Sequence, residues 1–116
     1  MTDFHRHVGA DIRTVPTLDV PDAERRVQFV EEEARELRDA VQAGDIVATA
    51  DALADLAYVV YGAALHFGIP LPDVLAEVHR SNMTKSPSGN GKAIKGPAYQ
   101  RPQIAKILAA RRGATD

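Results

Sequence analysis

Glu31-Glu32-Glu33-Ala34-Arg35-Glu36 and, in the apolar run that follows, Asp51-Ala52-Leu53-Ala54-Asp55 decide how this chain folds. Around the first group Val27, Val30, Ala34, Leu37 and Val41 recur at steps of three and four, the spacing of one face of an α-helix. With about 3.6 residues per turn, Glu32, Glu33 and Glu36 fall together beside that apolar stripe, Glu33 nearest to it. From Ala50 to Phe67 the only formally charged residues are Asp51 and Asp55, four apart and hence on one helix face. The residues around them are leucines, valines, tyrosines and alanines.

A helix that is apolar nearly all round is buried on more than one side, and two carboxylates inside it are costly unless a cation or hydrogen-bond donors satisfy them. Glu32, Glu33, Glu36, Asp51 and Asp55 can converge on one small volume. All are hard oxygen ligands, without cysteine or histidine in either group, a set that favours Mg²⁺, with Mn²⁺ as a substitute, over Zn²⁺.

The chain has 116 residues, 45% of them hydrophobic, with three Phe, three Tyr and no Trp. Its core is therefore made of Ala, Leu and Val, which suits packed helices in a single domain. The absence of cysteine excludes disulfides and thiol catalysis and fits a cytoplasmic setting. No signal peptide is recognisable at the N-terminus, and the longest apolar stretch, read as too short and carrying two aspartates, is not expected to span a membrane. The net charge of −2 hides an asymmetry. Residues 78–115 hold eight bases, Arg80, Lys85, Lys92, Lys95, Arg101, Lys106, Arg111 and Arg112, and no acid. A bound metal together with several Lys and Arg side chains is the equipment of phosphate chemistry.

Along the chain, residues 2–9 read as a short helix with Phe4 and Val8 on one face, and residues 13–21 as an extended connector. Pro21 suits the first turn of a helix over about 21–43. Asp45 is placed to cap a second over about 45–67, which Gly68 ends. Pro70 and Pro72 introduce a third over about 71–82, with Leu71, Val74, Leu75 and Val78 as its buried side. Ser86-Pro87-Ser88-Gly89-Asn90-Gly91 is turn chemistry inside an aperiodic stretch, 83–102, and it lacks the spacing of a phosphate-binding loop around Lys92. A last helix covers about 102–111. His5 and His7 read as surface residues, His66 and His79 as hydrogen-bonded structural ones, and Tyr58 and Tyr61 as core or subunit interface.

Glu33-Ala34-Arg35-Glu36, followed one helix later by the acids Asp51 and Asp55, resembles the pattern Glu-x-x-Glu then Glu-x-x-Asp of the all-α nucleoside triphosphate pyrophosphohydrolases. This is the MazG-like group that includes phosphoribosyl-ATP pyrophosphohydrolase. Ala52 stands where that pattern has its third acid, and Asp51 is one residue earlier. Val78-His79-Arg80-Ser81-Asn82-Met83-Thr84-Lys85 and Lys95-Gly96-Pro97-Ala98-Tyr99 with Pro102 are similar to the C-terminal signature of one branch, so the resemblance covers roughly residues 4–108. It implies an all-α, MazG-like bundle of four to five helices over a single domain, 1–116, with a basic loop at about 83–101. It also implies a homo-oligomer, a dimer or dimer of dimers, with helices from two subunits at each site.

The resemblance further implies Mg²⁺-dependent hydrolysis of a (deoxy)nucleoside triphosphate to the monophosphate and pyrophosphate, for nucleotide-pool control or supply of a particular monophosphate such as dGMP. In that scheme Glu33, Glu36, Asp51 and Asp55 hold metal, and Glu32 ligates a second ion or acts as general base. Glu32 and Glu33 are the candidate catalytic carboxylates. Arg80, Asn82, Lys85, Lys92 and Lys95 are the candidate substrate-binding residues. Two other classes fit parts of the pattern. A nucleic-acid-binding module would use the basic third of the chain but leaves Asp51 and Asp55 unexplained and lacks interleaved aromatics. A catalytically silent nucleotide sensor would keep the metal site without turnover.

Overall fold

The computed structural model describes Asp3 and residues 14–113, without the side chains of 111–113. The short helix expected over 2–9, with Phe4, His5, His7 and Val8, lies outside the described residues apart from Asp3. Helix α1 spans Val20–Gln42, with Pro21 in its first turn, where a missing N–H leaves no bond unmade. The Asp45 carboxylate accepts the Ala48 N–H at 3.0 Å and opens α2, Ile46–Phe67. Gly68 closes α2 in the left-handed conformation, φ 71°. A Cβ there would also lie 2.2 Å from the Val15 carbonyl oxygen, so glycine is required on both counts.

Helix α3 spans Leu71–Asn82 and α4 spans Ile104–Gly113. Between them the stretch read as aperiodic contains a small antiparallel ladder, β1 (Ser86–Pro87) paired with β2 (Ala93–Ile94), with Ser86 opposite Ile94 and Pro87 opposite Ala93. Side chain and glycine chemistry close it where periodicity gives no signal. Asn90 accepts the Lys92 N–H through Oδ1, Ser88 N–H bonds the Lys92 carbonyl, and Gly89 and Gly91 supply positive φ. The fold is all-α apart from this ladder.

The chain divides into two compact units, Met1–Ile69 and Pro70–Asp116. In the first, α1 and α2 form an antiparallel helical hairpin whose tight turn is bound by Asp45 N–H to Ala40 O. Its buried residues are small: Ala23 and Ala40 on α1, Ala52, Gly62 and Ala64 on α2, with His66 the exception. Small side chains let the two helices approach closely. Several larger apolar side chains are left outside the seam: Val27, Val41, Ile46, Val47, Leu53, Tyr58 and Val60 are all exposed.

Three expectations are corrected here. Of the stripe Val27, Val30, Ala34, Leu37 and Val41, Val30 and Leu37 are half-buried whereas Val27, Ala34 and Val41 are exposed; the face of α1 towards α2 carries Asp22, Arg26, Glu33 and Ala40, spaced by four, seven and seven. In the second unit Leu75 is exposed, whereas Leu71, Val74 and Val78 are half-buried. And α2, at 22 residues, is long and apolar enough to cross a membrane by length and composition, so length does not argue against a span. What argues against it is chemistry: Asp51 and Asp55 share a face, at a cost in hydrocarbon of several kcal/mol.

Candidate functional site

Glu33 and Glu36 on α1 and Asp55 on α2 meet across the seam, with one carboxylate oxygen of each lying within 4.8 Å of the others. Spacing puts them there. Glu33 and Glu36 are a helical turn apart, and Asp55 lies one turn beyond the buried Ala52 on the inward side of α2. Of the five acids expected to converge, these three do. Asp51 is exposed and stands one turn nearer the start of α2, about 6 Å along its axis. Glu32 is exposed as well, rotated about 100° from Glu33, although its charge still reaches it.

Glu33 is the least comfortable acid of the three. One of its carboxylate oxygens is buried with no hydrogen-bond partner. Burial, then the charge of Glu36 and a hydrogen bond shared with it, then Asp55 and Glu32, all raise its pKa above the ordinary carboxylate value. An orphaned buried oxygen beside two further carboxylates is a cation-shaped gap in the charge balance. The all-oxygen donor set fits a hard divalent ion.

Residues 1–82 match the phosphoribosyl-ATP pyrophosphohydrolase family. The chain belongs to that family. Through it the protein falls in the MazG-like all-α pyrophosphohydrolase superfamily. No curated protein sequence matches the chain. Membership in the phosphoribosyl-ATP pyrophosphohydrolase family supports a nucleotide pyrophosphohydrolase activity in general and a dependence on divalent metal. The acid cluster lies wholly within the matched residues.

The residues expected to bind substrate lie in the second unit, and they have different occupations. Arg80 is committed: its Nε and Nη2 donate to the two oxygens of Glu77, both at 2.8 Å, its Nη1 to Gln100 Oε1 at 2.9 Å, and its Nη2 also to the Arg101 carbonyl. Glu77 in turn accepts the Gln103 N–H at 2.6 Å, Ser81 donates to the Gln100 carbonyl at 2.8 Å, and Gln100 N–H bonds Thr84 Oγ1 at 2.8 Å. This clamp ties residues 100–103 to α3, so Arg80 works as its hub. Asn82, Lys92 and Lys95 are exposed and Lys85 is half-buried; the Lys95 ammonium lies 5.3 Å from the centre of the Tyr99 ring.

The clamp carries a pH dependence. Its bonds to Arg80 and Gln103 hold the Glu77 carboxyl down at about 2, from an ordinary 4.5. A depressed carboxylate pKa stabilises the fold above the unfolded-state value, and that contribution is lost as pH falls from about 4.5 towards 2. We expect amide exchange at Gln100 and Gln103, corrected for intrinsic rates, to accelerate through that window and Glu77→Gln to accelerate it already at neutral pH. Equal protection in the variant would show the clamp to be idle.

Sequence reasoning passed over one feature of the first unit. His66, 1% exposed, donates from Nε2 to Asp22 Oδ2, and Arg26 Nη2 approaches its Nδ1 at 3.4 Å. Since a guanidinium can only donate, Nδ1 is the acceptor and the ring proton sits on Nε2. The structural, hydrogen-bonded reading of His66 holds. Its tie to Arg26 had no local signal, because the partners are 40 residues apart.

Proposed function

We propose that the protein is a Mg²⁺-dependent (deoxy)nucleoside triphosphate pyrophosphohydrolase, releasing the monophosphate and pyrophosphate. The observation that carries this reading is the convergence of Glu33, Glu36 and Asp55 within 4.8 Å around an orphaned, buried Glu33 oxygen. These three carboxylates would hold the ion; when bound, it neutralises phosphate oxygens and acidifies a coordinated water. Glu32, exposed to solvent beside Glu33, is the general base in this reading. Lys85, Lys92 and Lys95 are the charges assigned to the substrate's phosphates, and Asn82 offers both donors and an acceptor to a sugar or base. The setting is cytoplasmic nucleotide-pool control or supply of one monophosphate such as dGMP, by a homo-oligomer.

The deciding experiment is a screen of the canonical (d)NTPs, dUTP, oxidised forms and phosphoribosyl-ATP with Mg²⁺ and with Mn²⁺. Product identity is read by chromatography and pyrophosphate by coupling to a pyrophosphatase. Monophosphate and pyrophosphate in equal amounts from at least one substrate is the expected outcome. Retention of nucleic acid in low salt with no turnover of any nucleotide would instead favour the binding-module reading.

The hairpin at 85–99 gives a second test. It carries three lysines and two glycines at positive φ, and an anionic ligand would offset the entropy of fixing them. Hydrogen exchange over 85–99 is expected to slow when a non-hydrolysable dNTP and Mg²⁺ are added. Lys85→Ala or Lys95→Ala is expected to weaken nucleotide binding about fivefold, the scale of an exposed ion pair, leaving metal affinity unchanged. Unaltered exchange and unaltered kinetics in both variants would leave the hairpin a solvated loop.

A further inference from the structure

Arg26 is a half-buried charged group that the proposed chemistry leaves unused. It lies seven residues before Glu33, on the same face of α1, two turns or about 10 Å away along the axis. Across the seam, that level of α2 is occupied by the buried Gly62, which adds no side chain between Asp55 and His66. The guanidinium is held from one end. Nη2 is on His66 Nδ1 and the group lies 5.7 Å from the centre of the Phe29 ring. Its Nε is buried without any hydrogen-bond partner.

A buried N–H left unmade costs about 1–3 kcal/mol, more on a charged group, and natural proteins keep such groups where a ligand completes them. The ligand that fits is anionic and elongated. At one end of the seam three carboxylates call for a cation; two helical turns away the same face presents an unsatisfied cation of the protein's own. A condensed phosphate bound through metal at the first point and through a charge-assisted hydrogen bond at the second satisfies both at once, and the separation is of the order of such a chain.

We propose that Arg26 is a ligand of the substrate's condensed phosphate, donating from its guanidinium to the phosphate end remote from the acid cluster. The proposal rests on the pyrophosphohydrolase reading of that cluster. His66, fixed by Asp22 in the tautomer that accepts from Nη2, holds the guanidinium in the seam.

The test is calorimetric titration of the Mg²⁺-loaded protein with inorganic pyrophosphate and with an α,β-imido dNTP, in wild type, Arg26→Gln and Arg26→Lys. Mn²⁺ binding without nucleotide is measured in parallel by electron paramagnetic resonance. Loss of one hydrogen bond to a charged group corresponds to roughly a 10- to 100-fold weakening. Arg26→Gln is expected to lose that much affinity for both probes with Mn²⁺ affinity unchanged, and Arg26→Lys to recover part of it. If Arg26→Gln fails to fold, Arg26→Lys, which keeps the charge but lacks Nε, is expected on its own to weaken both probes severalfold. Wild-type affinity in whichever variant folds, with the wild type active, overturns the Arg26 assignment alone. A wild type that binds Mn²⁺ but neither probe, and turns over no nucleotide, overturns it together with the functional reading.

Discussion

Glu36→Gln and Asp55→Asn are each expected to lower turnover at least about 100-fold. Removing a group that merely orients a metal ligand costs 10–100-fold, and these are the ligands themselves. The helical fold should survive, and the physics of Glu33 says why. Its pKa is raised by burial and then by Glu36, Asp55 and Glu32, so in the metal-free protein its ionised form is disfavoured. A raised carboxylate pKa stabilises the fold while the group is protonated, and the benefit is lost as pH rises through the folded-state value. Removing the neighbouring charge relieves that loss. The metal-free variants should therefore melt at or above the wild-type temperature at neutral pH, the gap closing as pH falls towards 4.5, while the wild type alone gains stability on adding Mg²⁺. Near wild-type turnover in both variants would remove the metal from this site.

How much of this was legible in the sequence depended on whether a residue's role was local. The starts and stops of α1, α2 and α3 follow from Pro21, Asp45, Gly68 and Pro72, which act within a turn of themselves. Helical spacing also paired Glu33 with Glu36 and set Asp55 on the inner side of α2. It misplaced Asp51, because sharing a helix face with Asp55 leaves the acid a full turn away along the axis. The turn at Asn90 was readable as a turn, but its short ladder depends on pairing across it. The core face of α1 was misread for a different reason. Hydrophobic periodicity points to the largest apolar surface, Val27 to Val41, whereas the seam with α2 is made of Ala23, Ala40, Ala52 and Gly62 interleaved with Asp22, Arg26, Glu33 and His66. Side chains that do chemistry and side chains small enough for close approach line the inside of the hairpin. Val27, Ala34 and Val41 of the apolar stripe are left on its outside.

That inversion leads to the assembly. Ile46, Leu53 and Val60 recur at intervals of seven on the face of α2 turned away from Asp55, and are 78%, 52% and 39% exposed. Fully burying such a side chain is worth about 1.5–3 kcal/mol, so the parts of these three still exposed represent roughly 2.5–5 kcal/mol per protomer. A whole domain is stable by only about 5–15 kcal/mol. In a single chain whose buried hydrophobic residues, among those described, are four alanines, this outer seam is a large reserve of stabilisation. A second copy of α2, carrying the same seven-residue spacing, is a partner that can use it. We therefore expect light scattering to report a dimer or larger at micromolar concentration, and Leu53→Glu with Val60→Glu to yield a monomer that has lost most of its cooperative thermal transition. The double variant removes no residue of the acid cluster, so any loss of Mg²⁺ binding in it reports the dependence of the site on assembly. A wild-type protein that is monomeric and fully active at that concentration would show that α1 and α2 hold the carboxylates in place unaided.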